Sequence, residues 1–415
     1  MAVRTGGAGS VRARRLPGWA VSLGQWLAGV LVLAVVVGGI AAFVMPGYIP
    51  TNGMSTVWHA PGESEAPEGG AATWLVGDSV VRSRFDGVTA FDVRSGKKRW
   101  EYLVPARAET CGASADTAAG VALIAYRQAR PTKDESCAAV AAVDLTDGRE
   151  LWRATGVSGE LQSKVVTSGG GLGVLVVGGR LRGVDLKSGA PRWTTPLGKG
   201  CAPHGLGVAP KQVVAALMCG TEATLASFDP ASGTTRWTVP VDARRGVDAD
   251  GLLSVLSADP PTVRVDGPNG TGLSAVLAFG PDGRDQGRVD GAGDFGGIST
   301  TLVKDGRLYA IAATKGVVPA FSGVVAFDLA NGAQLWRKGG GASALDVSDG
   351  RVTIVRPSYK HGDLMFVVDA ATGDEEDERD FQDGVPSAGD VLTFQDLVVV
   401  VHGGKERPFT VYDRW

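Results

Sequence analysis

The sequence predicts an all-β protein: a closed ring of four-stranded antiparallel sheets, with one membrane-spanning helix ahead of it. Three observations carry this. A phrase spaced Asp, three residues, Gly, three residues, Trp occurs five times. Each copy follows a short apolar run. A stretch without charge, Trp26 to Met45, lies near the N-terminus.

The five copies are Asp92/Gly96/Trp100, Asp144/Gly148/Trp152, Asp185/Gly189/Trp193, Asp229/Gly233/Trp237 and Asp328/Gly332/Trp336. A sixth, Asp369/Gly373, has Asp377 where Trp stands elsewhere. The run before each Asp, such as Val88-Thr89-Ala90-Phe91, has the length and β-rich content of a strand. The Asp side chain can bond backbone two residues on and start a turn. The Gly supplies a positive φ that closes a hairpin with a bulge. The next strand carries the Trp, whose burial of roughly 150–250 Å² exceeds what one hairpin can cover. Each hairpin must therefore dock on a neighbour, and five of them imply a ring or stack.

Successive Asp positions from Asp92 to Asp229 lie 52, 41 and 44 residues apart. The longer gap from Asp229 to Asp328 leaves room for one hidden unit. Its remnant is Val276 to Gly283, with Gly280 in the Asp place and a turn one residue shorter. After Asp369 comes Phe409 to Asp413, the strand and Asp of one more unit, which has no strand after it. Ser55 to His59 looks like the missing Trp strand, with Trp58 as its Trp. If it pairs beside Val411, the chain ends share one sheet, the ring closes and exposed edges disappear. The expected fold is an eight-bladed β-propeller; seven blades with a frayed end is the alternative.

The apolar-Asp-x-x-x-Gly-x-x-x-Trp phrase resembles the repeat of the PQQ-type, quinoprotein-like β-propellers, over roughly residues 54–415. The resemblance implies the architecture and says little of activity. The family includes quinoprotein alcohol dehydrogenases, but also non-catalytic members: a lipoprotein of the outer-membrane protein assembly machinery and membrane-anchored proteins of high-GC bacteria. This chain's Ala/Gly/Val/Arg bias suits the last group. The enzymes carry adjacent cysteines that form a disulfide, and Glu, Asn and Asp ligands to calcium under the quinone. No two cysteines are adjacent here, and no acidic cluster takes a matching place. The resemblance therefore carries over no PQQ, no catalytic residue and no metal ligand.

Residues 1–25 are basic, with Arg4, Arg12, Arg14 and Arg15 and no acid. Residues 26–45 are long enough to span a bilayer as a helix. Arginine before the span and Glu63, Glu65 and Glu68 beyond it put the N-terminus in the cytoplasm and the propeller outside; the resemblance implies a bacterial cell membrane. A cleaved signal peptide is the alternative. Residues 46–53 read as linker and 54–415 as the propeller. Net charge is −3, which gives no general attraction to nucleic acid.

Four cysteines, Cys111, Cys137, Cys201 and Cys219, fall on the exported side and read as two disulfides. Three pairings are open; proximity favours Cys111–Cys137 and Cys201–Cys219. Cys201, His204 and Cys219 lack an evident fourth ligand for a metal site.

The Asp-Gly turns join third to fourth strands and so ring one face of the disk. Loops between second and third strands, and links between blades, ring the other. Length varies on that second face, at 128–136, 258–272, 313–322, 357–363 and 403–408, and all four cysteines map there. Binding is expected on such a face. It carries Arg130, Lys133, Arg264, Lys315, Lys360, His361, Lys405 and Arg407, interspersed with Asp134, Glu135, Asp259, Asp266, Asp363 and Glu406.

Chemistry is sparse. The acid run Asp374 to Glu378 leaves a Ca²⁺ site open. Asp248-Ala-Asp250 and Asp282-Gly-Arg-Asp285 do not fit an EF-hand. His59, His204, His361 and His402 have no ligand spacing. No nucleophile elbow, phosphate loop or dinucleotide fingerprint occurs. The expected function is a membrane-anchored extracytoplasmic binding or scaffold module with a protein or cell-envelope partner. The alternative is a quinone-dependent or hydrolytic enzyme with its site at the propeller centre.

Overall fold

In the computed structural model the apolar runs become strands covered on both faces. The model describes residues 30, 33, 53–65, 71–127, 137–155, 166–241, 253–267, 273–291, 295–314, 322–357, 362–385 and 387–414. The strands Leu172–Val177 and Leu397–His402 are buried at every residue, and Gln212–Cys219 at all but its last. This is why these runs are continuously apolar rather than alternating: each sheet is sandwiched between two others.

Among the described residues the strands form eight four-stranded antiparallel sets, over 73–103, 109–155, 166–196, 201–240, 253–290, 295–338, 344–381 and 388–413, the last completed by Gly53–His59. In set 1 the order is Thr73–Val76, Ser79–Arg84, Gly87–Asp92, Lys98–Leu103, and the other sets repeat this meander. First strands of neighbouring sets touch one another, so they are innermost.

Eight apolar clusters join the sets in sequence. Val214, Ala216 and Met218 of set 4 pack on Val263, Val265 and Leu277 of set 5. Val213, Ala215 and Leu217, from the same strand, pack on Leu172 and Val174 of set 3. The period-two pleat sends alternate residues to opposite neighbours. The ring closes where Val399, Phe409 and Val411 of set 8 meet Val80, Phe91 and Val93 of set 1.

The strand Gly53–His59 runs antiparallel to Phe409–Asp413, with Ser55 opposite Asp413 and His59 opposite Thr410. Its first residues also pair in parallel with Glu375–Phe381 of set 7, Gly53 opposite Asp380. Gly53, read as linker in the sequence, therefore belongs to the strand.

One loop assignment needs correction. Residues 258–272 are not one loop: Pro261–Asp266 is the second strand of set 5. Pro can open a strand, as Pro261 does here, and Thr262, Val263 and Val265 are buried. Arg264 and Asp266 accordingly sit in a strand and pair with each other, Nε to Oδ1 at 2.8 Å. Asp259 lies in the first-to-second strand turn, on the Asp-turn face.

Among the described residues no helix is long and apolar enough to cross a membrane. The expected span 26–45, apart from Val30 and Leu33, lies outside them, as do Arg130, Lys133, Asp134, Glu135, Asp248, Asp250, Lys315, Lys360 and His361.

Candidate functional site

The Asp-Gly turn has the same two backbone bonds at Asp92, Asp144, Asp185, Asp229, Asp328 and Asp369. The Asp92 amide donates to the Lys97 carbonyl at 2.8 Å, and the Gly96 amide donates back to the Asp92 carbonyl at 2.9 Å. Asp92 Oδ1 accepts from the Ser95 amide and hydroxyl, both at 2.8 Å. Asp144, Asp185, Asp229, Asp328 and Asp369 accept from their own turn amides in the same way. The second oxygen takes an arginine from the residue before the Trp: Arg99 to Asp92, Arg192 to Asp185 and Arg236 to Asp229, each at 2.6 Å. The guanidinium and the turn serine hold Asp185 and Asp229 at about 2, and Asp92 lower still. Asp413 ends its strand opposite both Ser55 and Leu397.

Each Trp leaves its own hairpin and lies on the Gly of the next. Trp58 covers Gly96, Trp100 covers Gly148, Trp152 covers Gly189, Trp193 covers Gly233, Trp237 covers Gly283 and Trp336 covers Gly373. A Cβ on any of these glycines would come within 2.5–2.8 Å of the ring. The indole N–H of Trp58, Trp152, Trp193, Trp237 and Trp336 donates to a carbonyl of that next turn at 2.8–3.1 Å. The indole N–H of Trp100 is buried with no partner among the described residues.

Two junctions solve the same problem differently. Between sets 5 and 6 the Trp place holds Gly287, and bare backbone fills the seat: a Cβ on Gly332 would collide with the Arg288 carbonyl. Between sets 7 and 8 Asp377 stands in the Trp place and pairs with Arg379 at 3.0 Å and Arg414 at 3.7 Å. The expected Gly and Trp residues are thus assembled into interlocks between sets, and the repeat Asp residues shape the turns that present those glycines.

The opposite, loop-bearing face carries both disulfides. Cys111 is joined to Cys137 and Cys201 to Cys219. The first bridges the start of an innermost strand to the start of a third strand. The second ties two paired strands, where the residues face each other directly. Neither joins adjacent residues: the separations are 26 and 18 positions. The two disulfides therefore differ from the adjacent-cysteine disulfide that the sequence resemblance associates with the quinone enzymes.

The same face holds a cleft at the seam of sets 8 and 1, with a volume of about 280 Å³. Its rim is residues 60–65, which cross from set 8 after the closing strand. Its wall is Arg82, Arg84, Phe85 and Asp86 of set 1, above buried Phe91 and Phe409. The rim is tied down by the Ala60 amide to the Phe409 carbonyl at 2.9 Å and the Glu63 amide to the Lys405 carbonyl at 2.7 Å. Arg82 and Glu63 form a nearly buried ion pair, Nε to Oε1 at 2.7 Å, and Arg82 Nη1 also reaches the Thr73 hydroxyl at 3.0 Å. Arg84 bonds Asp86 Oδ1 and Glu101 Oε1 at 2.6 and 2.7 Å. No sequence motif marks this cleft. One signal was present: Arg82 and Arg84 stand two apart in a second strand and so share one side.

Other candidates disperse. The acid run becomes the outer strand Glu375–Phe381, where Glu375 pairs with Lys338 and Glu376 with Arg351. Asp282 closes its own turn, accepting from the Arg284 amide. Among the described residues no group of three or more His, Cys, Asp or Glu is arranged to hold a metal ion. On the innermost strands Asp346 accepts from the Ser348 and Thr393 hydroxyls. Crowding by protein, with Asp346 adding to it, raises Asp390 above the ordinary carboxylate value. His402 Nε2 lies 3.0 Å from the Thr410 hydroxyl inside set 8.

A family model described as outer membrane protein assembly factor BamB matches residues 51–202. BamB from Moraxella catarrhalis is similar in structure over 87% of this chain and 97% of that one, at 16% identity and a TM-score of 0.51. The C-terminal WD40 domain of Sif2 covers 87% and 98%, at 10% identity and a TM-score of 0.54. A europium-containing methanol dehydrogenase covers 84% and 85%, at 12% identity and 0.52. No curated protein matches the chain in sequence. At these identities the solved structures speak to the fold, and the matched repeat speaks to the kind of propeller. The chain carries PQQ-type β-propeller repeats, matched by that family model over residues 51–202.

Proposed function

We propose that the chain is a membrane-anchored, extracytoplasmic scaffold that binds a protein or cell-envelope partner through its loop-bearing face. The supporting observation is the contrast between the two faces. On the Asp-turn face, the repeat carboxylates are taken up by their own turn amides and hairpin arginines, and the indoles by the glycine turn of the next set. On the other, two disulfides clasp the bases of the strands around loops of unequal length, a rigid mount for variable segments. The family model is named for an outer-membrane protein assembly factor, which favours a partner in envelope protein assembly. The disulfides fit an oxidising compartment, and residues 26–45 supply the anchor that keeps the propeller there.

The test is capture from chemically crosslinked membranes of the native host. One consistent envelope partner is expected. Failure to recover one, together with substrate turnover by the purified chain, would replace the scaffold with the enzyme alternative. Titration with PQQ and Ca²⁺ separates the two further: the scaffold reading expects a featureless spectrum.

A further inference from the structure

The cleft at the seam of sets 8 and 1 offers more hydrogen-bond acceptors than donors. Arg84 spends its contacts on Asp86 Oδ1, Glu101 and the Thr89 hydroxyl. Arg82 spends its contacts on Glu63 and Thr73. On the acceptor side, Asp86 Oδ2 and both oxygens of Glu65 accept no hydrogen bond among the described residues, and Glu63 Oε2 has only a long contact of 3.5 Å. Lys405 reaches the outside of the rim, where its Nζ donates to the Ser64 carbonyl at 3.2 Å. The rim backbone thus already holds one ammonium. Of the side chains lining the cleft, Glu63, Glu65 and Asp86 are three acids to the two arginines; Glu101, off the lining, is shared by Arg84 and Lys98.

The volume sits just below the ~300–1,000 Å³ typical of pockets for drug-sized ligands, so the space suits one side chain better than a cofactor. Pro61 and Phe85 offer apolar surface beside the carboxylates. This combination matches an alkyl stem ending in a cation. An anionic ligand, in contrast, would have to displace Glu63, which its own backbone hydrogen bond holds in place.

The geometry points to this cleft as the docking site for a lysine-type side chain of a protein partner, its ammonium held by Glu65 and Asp86 beside the Arg82–Glu63 pair. The inference rests on the scaffold reading and gives that partner a chemistry.

The probe is N-acetyl-lysine methylamide, titrated into the full chain with alanine methyl groups labelled, reading the Ala60 methyl at the cleft rim. N-acetyl-norleucine methylamide, which keeps the stem and lacks the ammonium, is the control. The lysine probe is expected to shift Ala60 saturably and the control not to. Glu65→Gln with Asp86→Asn should weaken the shift about tenfold, the scale of one lost charge-assisted hydrogen bond, with other alanine methyls unmoved. No Ala60 shift at millimolar probe, an equal shift from norleucine, or an unaffected double variant would each overturn the docking site. Membrane capture separates this from the wider reading. A partner retained by wild type and lost by the double variant supports the site. A partner retained by both overturns the site and leaves the scaffold. No partner with either overturns the scaffold itself.

Discussion

A methyl group at Gly189 would meet two obstacles at once. The backbone there has φ of +72°, and the Trp152 ring would lie 2.6 Å from the new carbon. Gly120 has a similar φ of +70° with nothing within 4 Å of the added carbon. Gly120→Ala is therefore expected to cost about 1–2 kcal/mol, the left-handed backbone alone. Gly189→Ala is expected to cost about 2–4 kcal/mol, because overpacking adds to it. Denaturant unfolding of both variants checks this; equal losses would show that the ring contact contributes nothing. Asp185 supplies a second test. Its carboxyl is held at about 2 by Arg192 and Ser188, below an ordinary value of about 3.9. Such a group stabilises the fold above its unfolded value, and that contribution fades as pH falls through about 2. Arg192→Gln should move the Asp185 titration upward, so that acid destabilisation sets in nearer pH 4. Carboxyl NMR reads this directly, and an unmoved midpoint would contradict the pairing. The positive φ and the turn-starting Asp were legible in the sequence because both follow from local chemistry. The ring over the glycine and the arginine on the Asp were not, although Arg99, Arg192 and Arg236 precede their Trp residues in plain view. Those contacts depend on which strand lies beside which.

At the scale of elements, the strand Gly53–His59 holds three sets. It pairs with strands of sets 7 and 8, and its Trp58 sits on the Gly96 turn of set 1 while packing edge-on against Phe409. Trp58→Ala should lower the melting temperature by several degrees and expose the amides of Phe409–Asp413 to hydrogen exchange before those of set 5. Exchange that begins in set 5 would show that closure lies elsewhere. The split unit was legible because a Trp strand without its Asp and an Asp strand without its Trp stood at opposite ends of the chain. The parallel pairing to set 7 had no sequence signal. The second strand of set 5 differs from the loop expected over 258–272, and Pro261 opens it. At the next seam, Gly287→Trp restores the repeated phrase yet should destabilise. A side chain there must enter the Leu329 carbonyl, so the local backbone has already adapted to the missing ring.

At the scale of the whole molecule, the eight sets leave one face closed by its own interlocks and the other clasped by two disulfides. In the chain-entropy view each disulfide stabilises by roughly 3 kcal/mol for its loop length. Cys201→Ser with Cys219→Ser is therefore expected to lower unfolding free energy by about 2–4 kcal/mol while leaving the ring assembled; circular dichroism and denaturant melts check both parts. The ring and its two faces could be read from spacing alone. The cleft could not, since Glu63, Arg82 and Asp86 become neighbours only when the rim crosses the seam. The most direct measurement of the scaffold claim compares the two faces in native membranes. A photo-crosslinking residue is placed at Arg407 on the loop face, or at Ser232 on the Asp-turn face, both exposed. Adducts to one consistent envelope protein from position 407, and none from position 232, are the expected result. Adducts from position 232 alone, or the same partner from both faces, would contradict it.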